Sequence, residues 1–92
     1  MQAKEAVFAA KAYIAELMSD EAIELPTLEE VWLDEKKRHW LVTLAIRRRL
    51  SPETAAGKIG LAALPTYKTV TISDVDGSFV SIRSQLLKGL AS

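Results

Sequence analysis

The sequence predicts an α+β fold: one N-terminal helix over about residues 3–18, packed on a four-stranded antiparallel sheet over about 28–34, 39–47, 67–73 and 78–83. Three observations carry this expectation. Apolar residues recur at three- and four-residue spacing up to residue 18, and the period falls to two from residue 28. The two-period stretches come as two pairs, each split by a short polar run of the kind that closes a hairpin. A chain of 92 residues encloses one core, so 1–92 reads as a single domain.

In the first element, Ala3, Val7, Ala10, Ile14, Leu17 and Met18 form one helical stripe, and no Gly or Pro interrupts it. Alanines at 3, 6 and 10 allow close approach to whatever lies beneath. Phe8 falls off the stripe, among the charged positions. Lys4, Glu5, Lys11 and Glu16 break up the run that a signal peptide or anchor needs, so a cytoplasmic location without membrane contact is expected. The acidic segment that follows, closed by Pro26, reads as a loop.

From Leu28 the pattern alternates. Val31 and Leu33 share one face, with Glu30 and Trp32 opposite. In the next strand Trp40, Val42, Leu44 and Ile46 share one face, and Leu41, Thr43, Ala45 and Arg47 the other. Setting Val31 against Val42 and Leu33 against Trp40 makes the apolar faces coincide, a register consistent with a single buried side. The same register brings Glu24 near Arg49. Between the hairpins, Ser51 as N-cap and Pro52 at the first helical position predict a short helix over about 51–58, limited by Gly57 and Gly60. The rest of 50–65 is a long loop, with Ile59, Leu61 and Leu64 able to fold back on the sheet.

In the second hairpin Val70, Ile72, Val80 and Ile82 share a face. Pairing Ile72 with Val80 leaves Val75, Asp76 and Gly77 as a three-residue loop, with Gly77 in the left-handed region such loops require. The final stretch, Ser84 to Ser92, adds a short helical turn or frays.

The patterns A-K-E-A-V…A-K-A-Y, L-E-E-V-W-L-D-E with W-L-V-T-L, and Y-K-T-V-T-I-S-D-V-D-G-S-F-V-S-I-R resemble those of small prokaryotic proteins of unassigned function with PepSY-like architecture. The resemblance implies a helix on an antiparallel sheet whose last hairpin ends in an Asp-x-x-Gly turn, here Asp74 to Gly77. It also implies a role in restraining a peptidase, because PepSY domains are thought to do so. It transfers no catalytic residue.

Composition closes off much chemistry. There is no cysteine and one histidine, so neither a thiolate zinc site nor a His cluster is available, and no metal or cofactor is expected. Asp74 and Asp76 before Gly77 suit a hairpin turn better than a calcium loop, which needs further ligands and a closing Glu. Glu29 and Glu30, adjacent on a strand, point to opposite faces and form no acid/base pair. His39 has no orienting carboxylate or nucleophile beside it in sequence, so no enzyme activity is expected.

Twelve basic residues balance twelve acidic ones, yet unevenly: residues 1–35 hold two basic and nine acidic, residues 36–92 ten basic and three acidic. The clusters Lys36 to Arg38 and Arg47 to Arg49 fall at opposite ends of the second strand. The acidic run lies beside the triple arginine, so a nucleic-acid partner is not expected.

The helix covers one sheet face only. The other presents Trp32, Leu41, Ala45, Tyr67, Thr69, Thr71, Phe79 and Arg83, more aromatic surface than a solvated face ordinarily carries. Trp32, Leu41, Tyr67 and Phe79, with Phe8 on the helix, are therefore the candidate interface residues. Alternatively, the 50–65 loop covers part of this face. The sequence points to a small non-catalytic module that binds a protein partner or forms a homodimer. Two other readings remain: a small-ligand domain with a pocket between helix, sheet and the 50–65 loop, and a PepSY-like peptidase regulator.

Overall fold

The computed structural model of the chain describes residues 1–49 and 64–85. Its elements are α1 (Ala3–Leu17), β1 (Thr27–Asp34), β2 (His39–Ile46), β3 (Thr66–Ser73) and β4 (Phe79–Gln85). The strands form one antiparallel sheet in the order β1-β2-β3-β4, and α1 packs across β1, β2 and β3. This is the α+β architecture expected. The short helix expected over 51–58, the return of Ile59 and Leu61 to the sheet and the stretch after Gln85 lie outside the described residues; Leu64, also expected to fold back, is instead 86% exposed, and Ser84 and Gln85, expected to turn helical or fray, continue β4.

The helix begins where the Gln2 backbone N–H donates to the Glu5 carboxylate (2.7 Å), a carboxylate in the first turn that also suits the helix dipole. Ala6, Ala10 and Ile14 are fully buried against Val42, Leu44, Ile46, Val70 and Ile72. Two alanines in the contact stripe let the helix axis approach the sheet closely, and Ile14 supplies the bulk between them. Leu17, placed on the stripe by spacing, is instead 54% exposed, because α1 ends there beyond the covered part of the sheet.

The first hairpin has the expected register: Val31 pairs with Val42 and Leu33 with Trp40. A bulge at Glu29, between the Leu28–Leu44 and Glu30–Thr43 pairs, then shifts it. The bulge accounts for one residue of shift and the chain between Ile23 and Thr27 for a second, so the segment before β1 meets the end of β2 two residues earlier than expected. The Glu24 N–H donates to the Arg47 carbonyl rather than lying opposite Arg49, and Ile23 forms an isolated bridge with Arg48. The acidic run still lies beside the arginines, with Arg48 and Glu21 in contact at 2.6 Å.

Both hairpins turn through four residues whose last takes positive φ: Arg38 (57°) between Asp34 and His39, and Gly77 (74°) between Ser73 and Ser78. The second loop is one residue longer than expected. Its closing bonds run from Ser73 N–H to the Ser78 carbonyl and from Gly77 N–H to the Ser73 carbonyl, both 2.8 Å. This closure pairs Ile72 with Phe79, and Val80 becomes the extra residue of a bulge before Thr71 pairs with Ser81. Phe79, expected on the outer face, consequently sits on the helix side, 5.2 Å from the Tyr13 ring. Val80 turns outward and is 44% exposed. Placing a phenyl ring rather than an isopropyl group against the core removes more apolar surface from water. The bulge then returns Ile82 to the core opposite Val70, as expected.

Candidate interaction face

The sheet face away from α1 reads as a grid. Alternation along strands and register between them place Trp32, Leu41, Thr71 and Ser81 in one row across the four strands, and Glu30, Thr43, Thr69 and Arg83 in the next. Trp32 is 48% exposed and stands directly opposite half-buried Leu41. Beside them opens a cleft of about 590 Å³ whose floor and walls include Leu41, Thr71, Val80 and Ser81, with Lys37 and Arg83 among its charged groups.

Towards the other end the face is closed. Thr43, Ala45 and Thr69 are buried, Thr43 and Thr69 share a hydroxyl–hydroxyl hydrogen bond (3.0 Å), and the Gln85 amide bonds Thr69. Tyr67 pairs with Ala45 at this closed end, four residues along from Leu41 in register. Of the five candidates, then, Trp32 and Leu41 lie together and Tyr67 is on the same face but apart from them. Phe79 is on the opposite face. Phe8, 77% exposed on α1, belongs to the far layer and shares no patch with Trp32.

The strand charges of this face divide by edge, with Lys37 in the β1–β2 turn, beside Asp34, as the exception. Glu30 and Asp34 belong to edge strand β1, Arg83 to edge strand β4. Asp34, His39 and Ser73 also stand in one row, but the Asp34 carboxylate accepts the Lys37 backbone N–H and the Ser73 hydroxyl accepts the Val75 N–H, both at 3.2 Å. Both side chains are held in turn hydrogen bonds, and neither bonds the imidazole. Among the described residues no cluster of His, Asp and Glu gathers as metal ligands.

A polar clasp at the hairpin end was not evident in the sequence. Asp74, 8% exposed, accepts the Trp40 indole N–H (2.7 Å), pairs with the Arg38 guanidinium (2.6 Å) and lies 3.4 Å from the N-terminal amine, while its own backbone N–H donates to the Arg38 carbonyl (2.8 Å). The Trp40 bond, then the amine and Arg38, hold the Asp74 carboxyl below its ordinary value, against the opposing pull of burial. Asp76 is also lowered, by hydrogen bonds from Ser78. A signal for the clasp existed: Trp40 is on the inner face near a hairpin end, and a half-buried indole N–H needs an acceptor. The turn aspartate of the neighbouring hairpin is the available one. Arg38, in the basic cluster at the start of β2 far from the acidic run, thus has its counter-charge in Asp74.

A second cleft, about 660 Å³, lies on the helix side past the end of α1, among Leu17, Met18, Ile46, Ile82 and Lys68. The Lys68 amine donates to the Ser84 hydroxyl (2.7 Å). No helix among the described residues is long and apolar enough to cross a membrane. No family model, curated protein or solved structure matches the chain.

Proposed function

We propose that the chain is a non-catalytic protein-interaction module whose contact surface is the Trp32 end of the outer sheet face. The observation that carries this reading is the half-exposed Trp32, paired with Leu41, which itself lines the cleft. An aromatic anchor beside a pocket, ringed by charge, has the composition of a binding hot spot. No constellation on the same face argues for catalysis, since the Asp34, His39 and Ser73 side chains are not joined by hydrogen bonds.

The test compares the native chain with Trp32→Ser and Leu41→Ser in two assays, capture of partners from native lysate and light scattering across concentration. The variants lose an association that the native chain shows, while far-ultraviolet dichroism and melting temperature stay the same. If neither assay detects an association that these substitutions remove, the reading fails.

One observation favours a second reading, a small-ligand site in the cleft past α1. There apolar side chains line a cleft with the Lys68 amine, whose bond is to a neutral hydroxyl, while the lining carboxylate of Glu21 is already paired with Arg48, a combination suited to an apolar molecule with one acidic group. Decanoate titrated against the native chain and Lys68→Met tests it: saturable binding to the native chain, weakened in the variant, supports the site, and equal binding removes it.

A further inference from the structure

We infer that the partner of the outer face is a second copy of this chain, packed face to face about a two-fold axis parallel to the strands. This rests on the interaction reading above and goes on to name the occupant. The reason is the layout of the grid. Trp32 and Ser81 end one row, and Glu30 and Arg83 end the next, with β1 at one edge of the sheet and β4 at the other.

A two-fold axis along the strands turns the second sheet over and exchanges its edges, so β1 of each copy lies over β4 of the other. Positions along the strands are kept, because aligned sheets pack within about 30° of one another, at a separation of about 10 Å. Trp32 of one copy then stands over the row position of Ser81 in the other, where the 590 Å³ cleft lies between Leu41 and Val80. Glu30 stands over Arg83. The contact is isologous, so each cleft receives one indole and each arginine one carboxylate.

The alternative aligned arrangement, with the axis across the strands, lays β1 on β1 and β4 on β4. It sets the acidic edges against each other and the basic edges against each other, which like-charge repulsion disfavours. Among the described residues neither Glu30 nor Arg83 has an ion-pair partner within its own chain, so both charges are available across an interface. In the Glu30–Arg83 row Thr43 and Thr69 are buried and only the two edge charges are exposed, so that row contributes its edge pairs alone and the dimer is a small, concentration-dependent one.

The experiment is sedimentation equilibrium of the full chain up to about 1 mM, with Trp32→Ser, Glu30→Arg and Arg83→Glu each measured alone. The native chain dimerises, and each variant weakens the association by about tenfold or more. The two charge variants are then mixed in equal amounts. In the mixed pair both cross-contacts again join Arg to Glu, so the mixture forms a heterodimer although each component alone is monomeric, and this recovery also shows that both variants fold. Three results overturn the inference: a native chain monomeric at the highest concentration, a dimer insensitive to Trp32→Ser, or a mixture that stays monomeric. If the chain is monomeric yet captures a partner through Trp32, only the second-copy inference fails; if no association of any kind depends on Trp32, the interaction reading fails with it.

Discussion

Replacing Phe79 and Val80 one at a time tests which of these neighbours faces the core, and with it the composition of the outer face. Phe79 lies against Tyr13 with ring centroids 5.2 Å apart and planes tilted by 45°, whereas Val80 is 44% exposed. Phe79 is half-buried, so truncation to Ala costs less than at a fully buried site, about 2 kcal/mol. For a domain of this size that lowers the melting temperature by about 8–16 °C. Val80→Thr keeps the β-branch and adds a hydroxyl that water can reach, so its effect stays within about 0.5 kcal/mol. If Val80 pointed inward, the hydroxyl would be buried and the cost would exceed 1 kcal/mol, by roughly the desolvation of an unbonded polar group. Urea denaturation of Tyr13→Ala, Phe79→Ala and the double variant adds a third measurement, a coupling of about 0.5–1.5 kcal/mol for a tilted aromatic pair. A Val80→Thr loss larger than the Phe79→Ala loss, or no coupling between Tyr13 and Phe79, would refute the bulged register and return Phe79 to the outer face.

Gly77→Ala is destabilised by about 1 kcal/mol and Gly77→Asn by less, because φ of 74° suits Gly, tolerates Asn and strains other side chains. The added Cβ also falls 2.8 Å from the Met1 methyl, a flexible group that can swing aside, so backbone strain sets the cost; thermal melts in which Ala equals Gly contradict this. Asp74→Asn lowers stability at neutral pH and flattens its acid dependence. The folded Asp74 carboxyl titrates below its ordinary value of 3.8, so its contribution is fully present above the unfolded value and is lost as pH falls through the lower folded one. Urea midpoints between neutral and strongly acidic pH should fall less steeply in the variant than in the native chain, and parallel curves would show that Asp74 does not carry that dependence.

Element type was legible because it depends on neighbours in sequence. The helical stripe through Ala10 and Ile14, the alternation in both hairpins and the left-handed position of Gly77 are each local regularities, and the structure has all of them. The first hairpin's register was legible for the same reason, since pairing Val31 with Val42 and Leu33 with Trp40 puts all four on one side and leaves only the polar run 35–38 as the turn.

Loop closure and bulges were not legible. A fourth residue in the Ser73–Ser78 turn moves the register by one, and one position later the Val80 bulge moves it back, so the net pattern of Val70 and Ile82 looks undisturbed while Phe79 and Val80 exchange faces. Competition between two side chains for the Tyr13 side of the core decides that exchange, and it is settled by packing. The Asp74 clasp joins residues 34 and more positions apart, and nothing in the local pattern of either hairpin assigns the Trp40 N–H its acceptor. The rows that set Trp32 level with Ser81 and Glu30 level with Arg83 exist because the sheet order is β1-β2-β3-β4. Sequence by itself thus determined what each segment is and which way most of its side chains alternate. Which distant groups meet followed from strand order, turn closure and the contest for core space, all of which act across the whole chain.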